Sequence, residues 1–375
     1  MGEVHPLQRV GFLQLMNLLR LLAPFVAADD APAAPDEFAL VRVSRRAMAT
    51  RFEVALPFGT PHAVPAAEDA LDLIDALEDQ MTVYRDDGEV ARLNATAAAG
   101  PVVVENHLFD LFETCAGWTR ETGGAFDIAA GALTKAWGFY RREGRVPTPR
   151  ERSAAMAQTG MRHVILDPAA RAVKFRVPGL EFNLGAVGKG YALDRAADLL
   201  RSKWGIRSAL LHGGGSSVYA IGRPPGEPRG WGVRLKHPTA DGRSLGTVWL
   251  ADRGLGTSAA THQYFAYNGR KLGHLLDPRT GRPAAGTASA SVAAPTAAEA
   301  DAMSTAAFVL GAAGADRLTR LRPGLGIVVL CEVVRLRGGE VVKNEHHLTT
   351  PPPHQSHNPE VFNLGPDSYS PPLPD

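Results

Sequence analysis

Apolar positions recur along this chain with two different periods. From Ala66 onward, Ala67, Ala70, Leu71, Ile74, Leu77 and Met81 return every three to four residues, which predicts an amphipathic helix. Beyond Asn106, a residue suited to cap a helix, Leu108, Leu111, Phe112, Cys115 and Trp118 share one face of a second. Ala192, Ala196, Leu199 and Leu200 mark a third. A fourth follows Pro295: Thr296 and Glu299 have capping-box spacing, and Ala300, Met303, Ala307 and Leu310 form its apolar side. Elsewhere the period is two. Phe52, Val54 and Leu56 alternate with polar neighbours, as in a half-buried strand. Strand-like runs also fill 163–167, 172–177, 230–236 and 246–251; 208–222 reads as strand, glycine turn, strand, and 326–343 as a hairpin around Gly338-Gly339. Residues 141–160 are polar and basic and read as a surface excursion. Strands and helices alternate without a regular βα rhythm, which predicts an α+β fold of mixed or antiparallel sheets with packed helices.

Composition narrows the classes of function. The net charge is +1 and no run of five basic residues occurs, so no nucleic-acid surface is expected. The two cysteines, Cys115 and Cys331, are far apart and outside any CxxC pattern, which excludes a zinc ribbon or a disulfide framework. Cys115 sits on an apolar helical face and is expected to be a core thiol. At the N-terminus, Arg9 and Arg20 flank an apolar stretch that ends in Val26-Ala27-Ala28. Residues 1–28 therefore resemble a signal peptide or, since Arg20 interrupts the apolar run, an amphipathic N-terminal helix. The first reading implies an exported protein, periplasmic or membrane-associated; the second, a cytoplasmic one. No stretch is long and apolar enough to span a membrane. Residues 29–39 read as a linker, 40–344 as one domain, and the Pro- and His-rich residues 345–375 as a disordered tail.

The chemistry centres on FNLGAVGKGYALD, Phe182 to Asp194. Gly185, Gly188 and Gly190 allow close backbone approach to a ligand, Lys189 brings a cation, and a helix start offers free N–H groups to a phosphate. The spacing is neither a Walker A loop nor G-x-G-x-x-G. HGGG at His212 to Gly215 has the look of a lipase oxyanion loop, but the G-x-S-x-G elbow that such an enzyme needs is missing. Asp301, Ser304 and Thr305 stand at i, i+3 and i+4, so their oxygens can share one helix face. With a carbonyl from a glycine turn they would suit a hard cation such as Mg²⁺. Lysine, glycine loop and hard cation together suit a phosphorylated ligand.

Eight segments in order carry a resemblance that covers residues 40–335: MATRFEV, MTVYRDDGEVARLN, TGGAFDIAAGAL…WGF, LGAVGKGYALD, LLHGGGSSVYAIG, GTSAATHQYF, HLLDPRTGRPA and SVAAPTAAEADAMSTA. Together they resemble the ApbE-like FAD:protein FMN transferase family. The resemblance implies a T-fold-like, two-lobed single domain that binds FAD and Mg²⁺. It implies cleavage of the FAD pyrophosphate, transfer of FMN to a Thr or Ser hydroxyl of a partner flavoprotein, and release of AMP. By the same resemblance the metal is held by the main-chain carbonyl of Ala186, by Asp301 and by Thr305, with Ser304 adjacent. FAD is contacted at Met48, Tyr84, Ala125, Phe126, Asp127, Asn183, Lys189 and Leu275. Lys189 and Asp301 act in catalysis, and His274 is the candidate for deprotonating the acceptor hydroxyl.

Three departures from the family pattern bear on rate. Many members carry Asp where this chain has Asn183, Gly where it has Ala49, and Ser-Gly-Asp where it has Ser258-Ala259-Ala260. Asn183 can still hydrogen-bond a nucleotide but brings no charge. The metal ligands are intact. Two alternatives stay open at this stage: an FAD-binding protein without catalysis, and an FAD pyrophosphatase in which water replaces the hydroxyl.

Overall fold

The structure, a computed structural model, describes residues 39–350 apart from 142, 241, 261–263 and 338–339. The signal-peptide reading of 1–28, nearly all of the linker and the tail beyond 350 lie outside the described residues. Strands β1 (Leu40–Ala47) and β2 (Thr50–Pro57) form a hairpin in which Ala47 pairs with Thr50. That register leaves only Met48 and Ala49 for the turn. Both take positive φ, 48° and 60°, as two-residue hairpin turns of the primed kind require. Phe52, Val54 and Leu56 are buried, as their alternation predicts.

Helix α1 (Ala63–Met81) buries the predicted face, including Leu71, Ile74 and Leu77, against β1 and β2. Each such side chain removed from water contributes about 1.5–3 kcal/mol. Helix α2 (Glu89–Thr96) and the short β3 (Val102–Val103) lead to α3 (Asn106–Glu121). The cap of α3 lies one residue before the expected Asn106: Glu105 accepts the Leu108 N–H at 3.0 Å. The apolar face of α3 is as predicted, and Cys115 is buried in it, its thiol pushed up by burial.

After α4 (Gly131–Ala136), the expected surface excursion contains a helix, α5 (Pro149–Ala157). Thr148 and Glu151 form a reciprocal capping box around Pro149, so the polar composition concealed a well-signalled helix start. Strands β4 (Val164–Asp167) and β5 (Ala172–Phe175) join β3 in a three-stranded sheet.

Helix α6 (Gly188–Ser202) follows the central stretch. It leads to β6 (Ala209–Gly213) and β7 (Ser217–Ile221), then the hairpin β8 (Trp231–Lys236) and β9 (Ser244–Leu250), then β10 (Arg253–Ala259). Two small ribbons come next, β11 (Tyr264–Tyr267) with β12 (Arg270–Gly273), and β13 (Leu276–Asp277) with β14 (Arg282–Pro283). Strand β15 (Thr287–Ala294), helix α7 (Ala297–Leu321) and the hairpin β16 (Gly326–Arg337) and β17 (Glu340–Thr350) complete the described fold. The pairing of β17 runs past the tail boundary expected at Glu345.

The main sheet has the order β1-β2-β6-β7-β10-β15-β16-β17, with every neighbouring pair antiparallel. Helix α6 packs against both α1 and α7, all three pack on this sheet, and their apolar faces share one core. The β8–β9 hairpin joins Val218, Ala220 and Leu255 of the sheet in a second apolar cluster with Trp231, Leu235 and Leu250. Helix α7 lies very close to β10 because Gly256 has no side chain: a Cβ there would fall 2.4 Å from the Ala300 carbonyl carbon and 2.6 Å from Asp301 N. The capping box expected for α7 is half formed. Thr296 accepts the Glu299 N–H at 3.1 Å, but the Glu299 carboxylate turns away to pair with Arg322. Gly311, at φ 67°, interrupts the helix.

Candidate functional site: a cation and phosphate site at one end of the sheet

The central stretch is fixed before any ligand arrives. Asn94 holds Phe182 through two hydrogen bonds, accepting its N–H at 2.8 Å and donating to its carbonyl at 2.9 Å. Asn183 donates its N–H to Ile128 O at 2.7 Å, while its side-chain oxygen accepts the Gly185 N–H at 2.9 Å. That second bond is an Asx turn, and it starts the reversal leading into α6. Gly190 stands in the first turn of α6, where an N–H has no carbonyl of its own helix to reach, and it donates to Asp301 Oδ2 at 2.8 Å.

Asp301 is buried in the first half of α7, at 6% exposure. Ser217, the first residue of β7, places its hydroxyl 2.8 Å from Oδ1 and 2.9 Å from Oδ2. No ion pair to Asp301 is formed among the described residues. Burial raises its carboxyl against the opposing charge of Lys189, the Ser217 hydroxyl and the Gly190 N–H, to a net value of about 6. One turn later, Ser304 donates to the Asp301 carbonyl at 3.0 Å. Ser258, near the end of β10, lies 2.9 Å from Ser304 Oγ and 3.2 Å from Thr305 Oγ1. Sequence spacing predicts that Asp301, Ser304 and Thr305 gather on one face, and the structure adds Ser217 and Ser258, which the spacing could not reveal. No group of three His, Cys, Asp or Glu side chains suited to a metal occurs among the described residues. A cation here would rest on one carboxylate together with hydroxyl and carbonyl oxygens. That donor set fits a hard ion that keeps several waters or phosphate oxygens of its own.

Hydrogen bonds tie together the turns next to Ser217. The Met48-Ala49 turn neighbours the β6–β7 turn, where Gly214 N–H donates to Arg51 O at 2.9 Å. Thr257 N–H reaches Ser216 O at 2.7 Å, tying that turn to the end of β10. Met48, Ala186, Leu275 and Ala260 are partly buried against the main core. Tyr84 is exposed, with its ring 4.8 Å from that of Tyr140, whose hydroxyl donates to Val83 O. Lys135 lies over Tyr140 and pairs with Glu181 at 2.5 Å, joining this aromatic pair to the central stretch. His274 stands edge-on to Phe139 at 6.4 Å.

Ala125, Phe126 and Asp127 are placed differently. Ala125 and Phe126 are 1% exposed, and Phe126 packs edge-on against Trp118, so any ligand contact there falls to the main chain. Asp127 accepts N–H groups from Ala129 at 2.8 Å and Met161 at 3.0 Å. Its carboxyl is raised by burial, against the pull of those bonds and of Arg162. A cavity of about 630 Å³ opens beside it, lined by Gly123, Gly124, Arg120, Arg162 and Arg279. The chemistry at Asp301 lies outside that cavity's lining.

The fold and the site together define a class: an antiparallel α+β protein with one buried, hydroxyl-bonded carboxylate beside a lysine-bearing glycine loop. The chain belongs to the ApbE family, whose model matches residues 48–329. It is 32% identical to an FAD:protein FMN transferase of Treponema pallidum over 295 residues, 75% of this chain and 80% of that protein. It is also 32% identical to one of Salmonella typhimurium, over 68% of this chain and 74% of that protein. The crystal structure of the ApbE protein of Thermotoga maritima superposes with a TM-score of 0.71 at 27% identity, covering 81% of this chain and 97% of that one. The apo flavinyl transferase ApbE of Pseudomonas stutzeri gives 0.70 at 27% identity, covering 83% and 96%.

Proposed function

We propose that this chain is an FAD:protein FMN transferase, which cleaves the FAD pyrophosphate and attaches FMN through a phosphoester to a Thr or Ser of a partner flavoprotein, releasing AMP. The observation that carries the chemistry is the buried Asp301 carboxylate, gripped by Ser217 and Gly190, in the field of Lys189 and beside hydroxyl oxygens. The names of the relatives support the substrate. Asp301, the Ala186 carbonyl and Thr305, with Ser304 beside them, would hold Mg²⁺. When bound, that ion neutralises charge on the pyrophosphate oxygens and on the departing AMP.

The remaining work falls to the chain. Lys189, at the head of α6, supplies a second positive charge to the phosphates. Met48, Tyr84, Asn183, Leu275 and the main chain of Ala125 to Asp127 orient the flavin nucleotide. A neutral ring nitrogen of His274 takes the proton of the acceptor hydroxyl as the new P–O bond forms and the P–O bond to AMP breaks. The basic and apolar N-terminus supports export to a periplasmic or membrane-associated location, which fractionation of cells expressing the full chain would check.

Intact-mass spectrometry of an acceptor flavoprotein domain, incubated with this protein, FAD and Mg²⁺, tests the activity. The expected result is a mass gain of one FMN phosphoester that EDTA abolishes. FAD recovered whole would favour a binding protein without catalysis. FAD converted to FMN and AMP with no gain on the acceptor would favour hydrolysis.

A further inference from the structure

The HGGGSS turn enters the proposed function only through its last residue, Ser217, which touches Asp301. We propose that Ser217 is a positioning residue: its hydroxyl fixes the Asp301 carboxylate in the orientation that receives the cation. The inference rests on the cation site proposed above.

Ser217 is fully buried, at 0% exposure, and stands at the start of β7 with a strand on each side. It pairs in register with Gly213 of β6 and Gly256 of β10. Gly256 is the position that lets α7 settle onto the sheet, so the residue across from it faces α7 at Asp301. The preceding turn is pinned from two directions, by Gly214 N–H on Arg51 O at 2.9 Å and by Thr257 N–H on Ser216 O at 2.7 Å. Gly214 and Gly215 both have positive φ, 64° and 72°, and a Cβ on Gly214 would lie 2.3 Å from Thr50 Oγ1. The glycines therefore make a tight reversal whose product is a hydroxyl in a fixed place.

That hydroxyl lies within 2.9 Å of both carboxylate oxygens, and Gly190 N–H takes a further lone pair of Oδ2. An ionised carboxylate has about four lone-pair sites, so about two remain for a cation or its water. With one proton Ser217 can bond either oxygen, but it cannot let the carboxylate rotate away. Partners of this kind, bonded to a ligand rather than to the metal, typically alter metal affinity by about 10–100-fold when removed.

The test compares the parent protein with Ser217→Ala, Ser217→Cys and Ser217→Thr by Mg²⁺ titration in the presence of ADP, which carries a pyrophosphate but no flavin. The readout is the Mg²⁺ concentration giving half of the metal-dependent rise in Tm. Ser217→Ala and Ser217→Cys are expected to need about 10–100-fold more Mg²⁺. Ser217→Thr, which keeps the hydroxyl, is expected to stay near the parent. In transfer assays the same variants should raise the Mg²⁺ requirement more than they lower kcat. Should Ser217→Ala not fold, the near-isosteric Ser217→Cys gives the answer alone. A folded Cys or Ala variant that responds at the parent's Mg²⁺ concentration overturns the inference, because a merely structural serine would lower the metal-free Tm and leave the titration unmoved. A parent with no metal response overturns the cation site itself, a separate result.

Discussion

Two carboxyls stand at the contact between α6 and α7, Asp301 buried and Asp194 half-buried, and they have been given different partners. Gly190 of α6 donates its N–H to Asp301 of α7, while Ala297 and Ala298 of α7 donate theirs to Asp194 of α6 at 2.7 and 2.8 Å. The exchange is reciprocal, and it fastens the helices where they come closest: a Cβ on Gly190 would lie 2.2 Å from the Ala297 carbonyl oxygen. Both carboxyls are raised mainly by burial, Asp194 to about 7 and Asp301 to about 6. Asp194, however, receives backbone N–H groups at a helix start, where the helix dipole also favours an anion. Its needs are met, and its role is to cap α7. Asp301 receives one N–H and one hydroxyl and stands near the Ser304 and Thr305 hydroxyls, which on the proposed function would join it around a cation. On the proposed function, the kind of partner separates the capping carboxylate, Asp194, from the one that would hold a cation, Asp301.

The largest effect that follows is at Asp301. Asp301→Ala is expected to reduce FMN transfer by about 10³-fold or more, since a bound cation contributes several kcal/mol to stabilising transition-state charge. The protein should stay folded with at most a modest fall in Tm, because the Gly190 N–H and the Ser217 hydroxyl lose their acceptor while a buried carboxyl without an ion pair is removed. Mass gain on the acceptor and a melting curve measure both; transfer at the parent rate would end the cation-site argument.

Asp194→Ala should show the opposite pattern. Two N–H groups at the start of α7 lose their acceptor, and loss of a cap of this kind costs about 1–2 kcal/mol. Tm should fall by about 2–4 °C for each kcal/mol lost in a protein of this size class, with transfer by the folded fraction retained. If transfer were lost and stability kept, the assignment of the two carboxyls would be reversed.

A pH series sharpens the same contrast. The folded pKa of Asp194, about 7, lies above its ordinary 3.8, so the folded state holds the proton more tightly than the unfolded chain. The stability this contributes is complete below about pH 4 and is lost as pH rises through about 7, with a slope of at most about 1.4 kcal/mol per pH unit. Asp194→Asn is expected to flatten that part of the curve in urea denaturation. An unchanged slope would show that Asp194 does not titrate there.

The sequence shows these differences unevenly. The periodic helices were legible because burial follows spacing: the α1 and α3 faces are those that the pattern predicts. The i, i+3, i+4 group of Asp301, Ser304 and Thr305 was legible for the same reason. Capping chemistry was half legible. Thr148 and Glu151 form the complete box in a stretch expected to be a surface excursion, while Glu299 leaves its box for Arg322, an ion pair set by the far end of α7 that no local pattern contains. Strand order is a long-range property, and with it goes the meeting of Ser217 and Asp301, 84 positions apart. Asp194 stood in plain view at the end of the central motif, but its partners lie 103 and 104 residues on. A cap built across two helices has no local spacing to betray it.

The smallest effect belongs to the Met48-Ala49 turn, which adjoins the Asp301 corner rather than the Asp194 cap. Ala49 is exposed and holds φ at 60°, a conformation that an L-residue enters at a cost of roughly 1–2 kcal/mol and glycine enters freely. Glycine at this position also loosens the unfolded chain, which takes back about 0.4–1 kcal/mol. Ala49→Gly should therefore stabilise the fold by about 0.5–1 kcal/mol, a rise in Tm of about 2 °C. Because the turn and the Asp194 cap share no partner, the gain should add to the loss in Asp194→Ala within about 0.5 kcal/mol. Calorimetry on the two single variants and the double variant measures this. A double variant that departs from the sum would mean that the turn and the cap respond to each other through the sheet, and the division between a structural end and a chemical end of the α6–α7 contact would have to be given up.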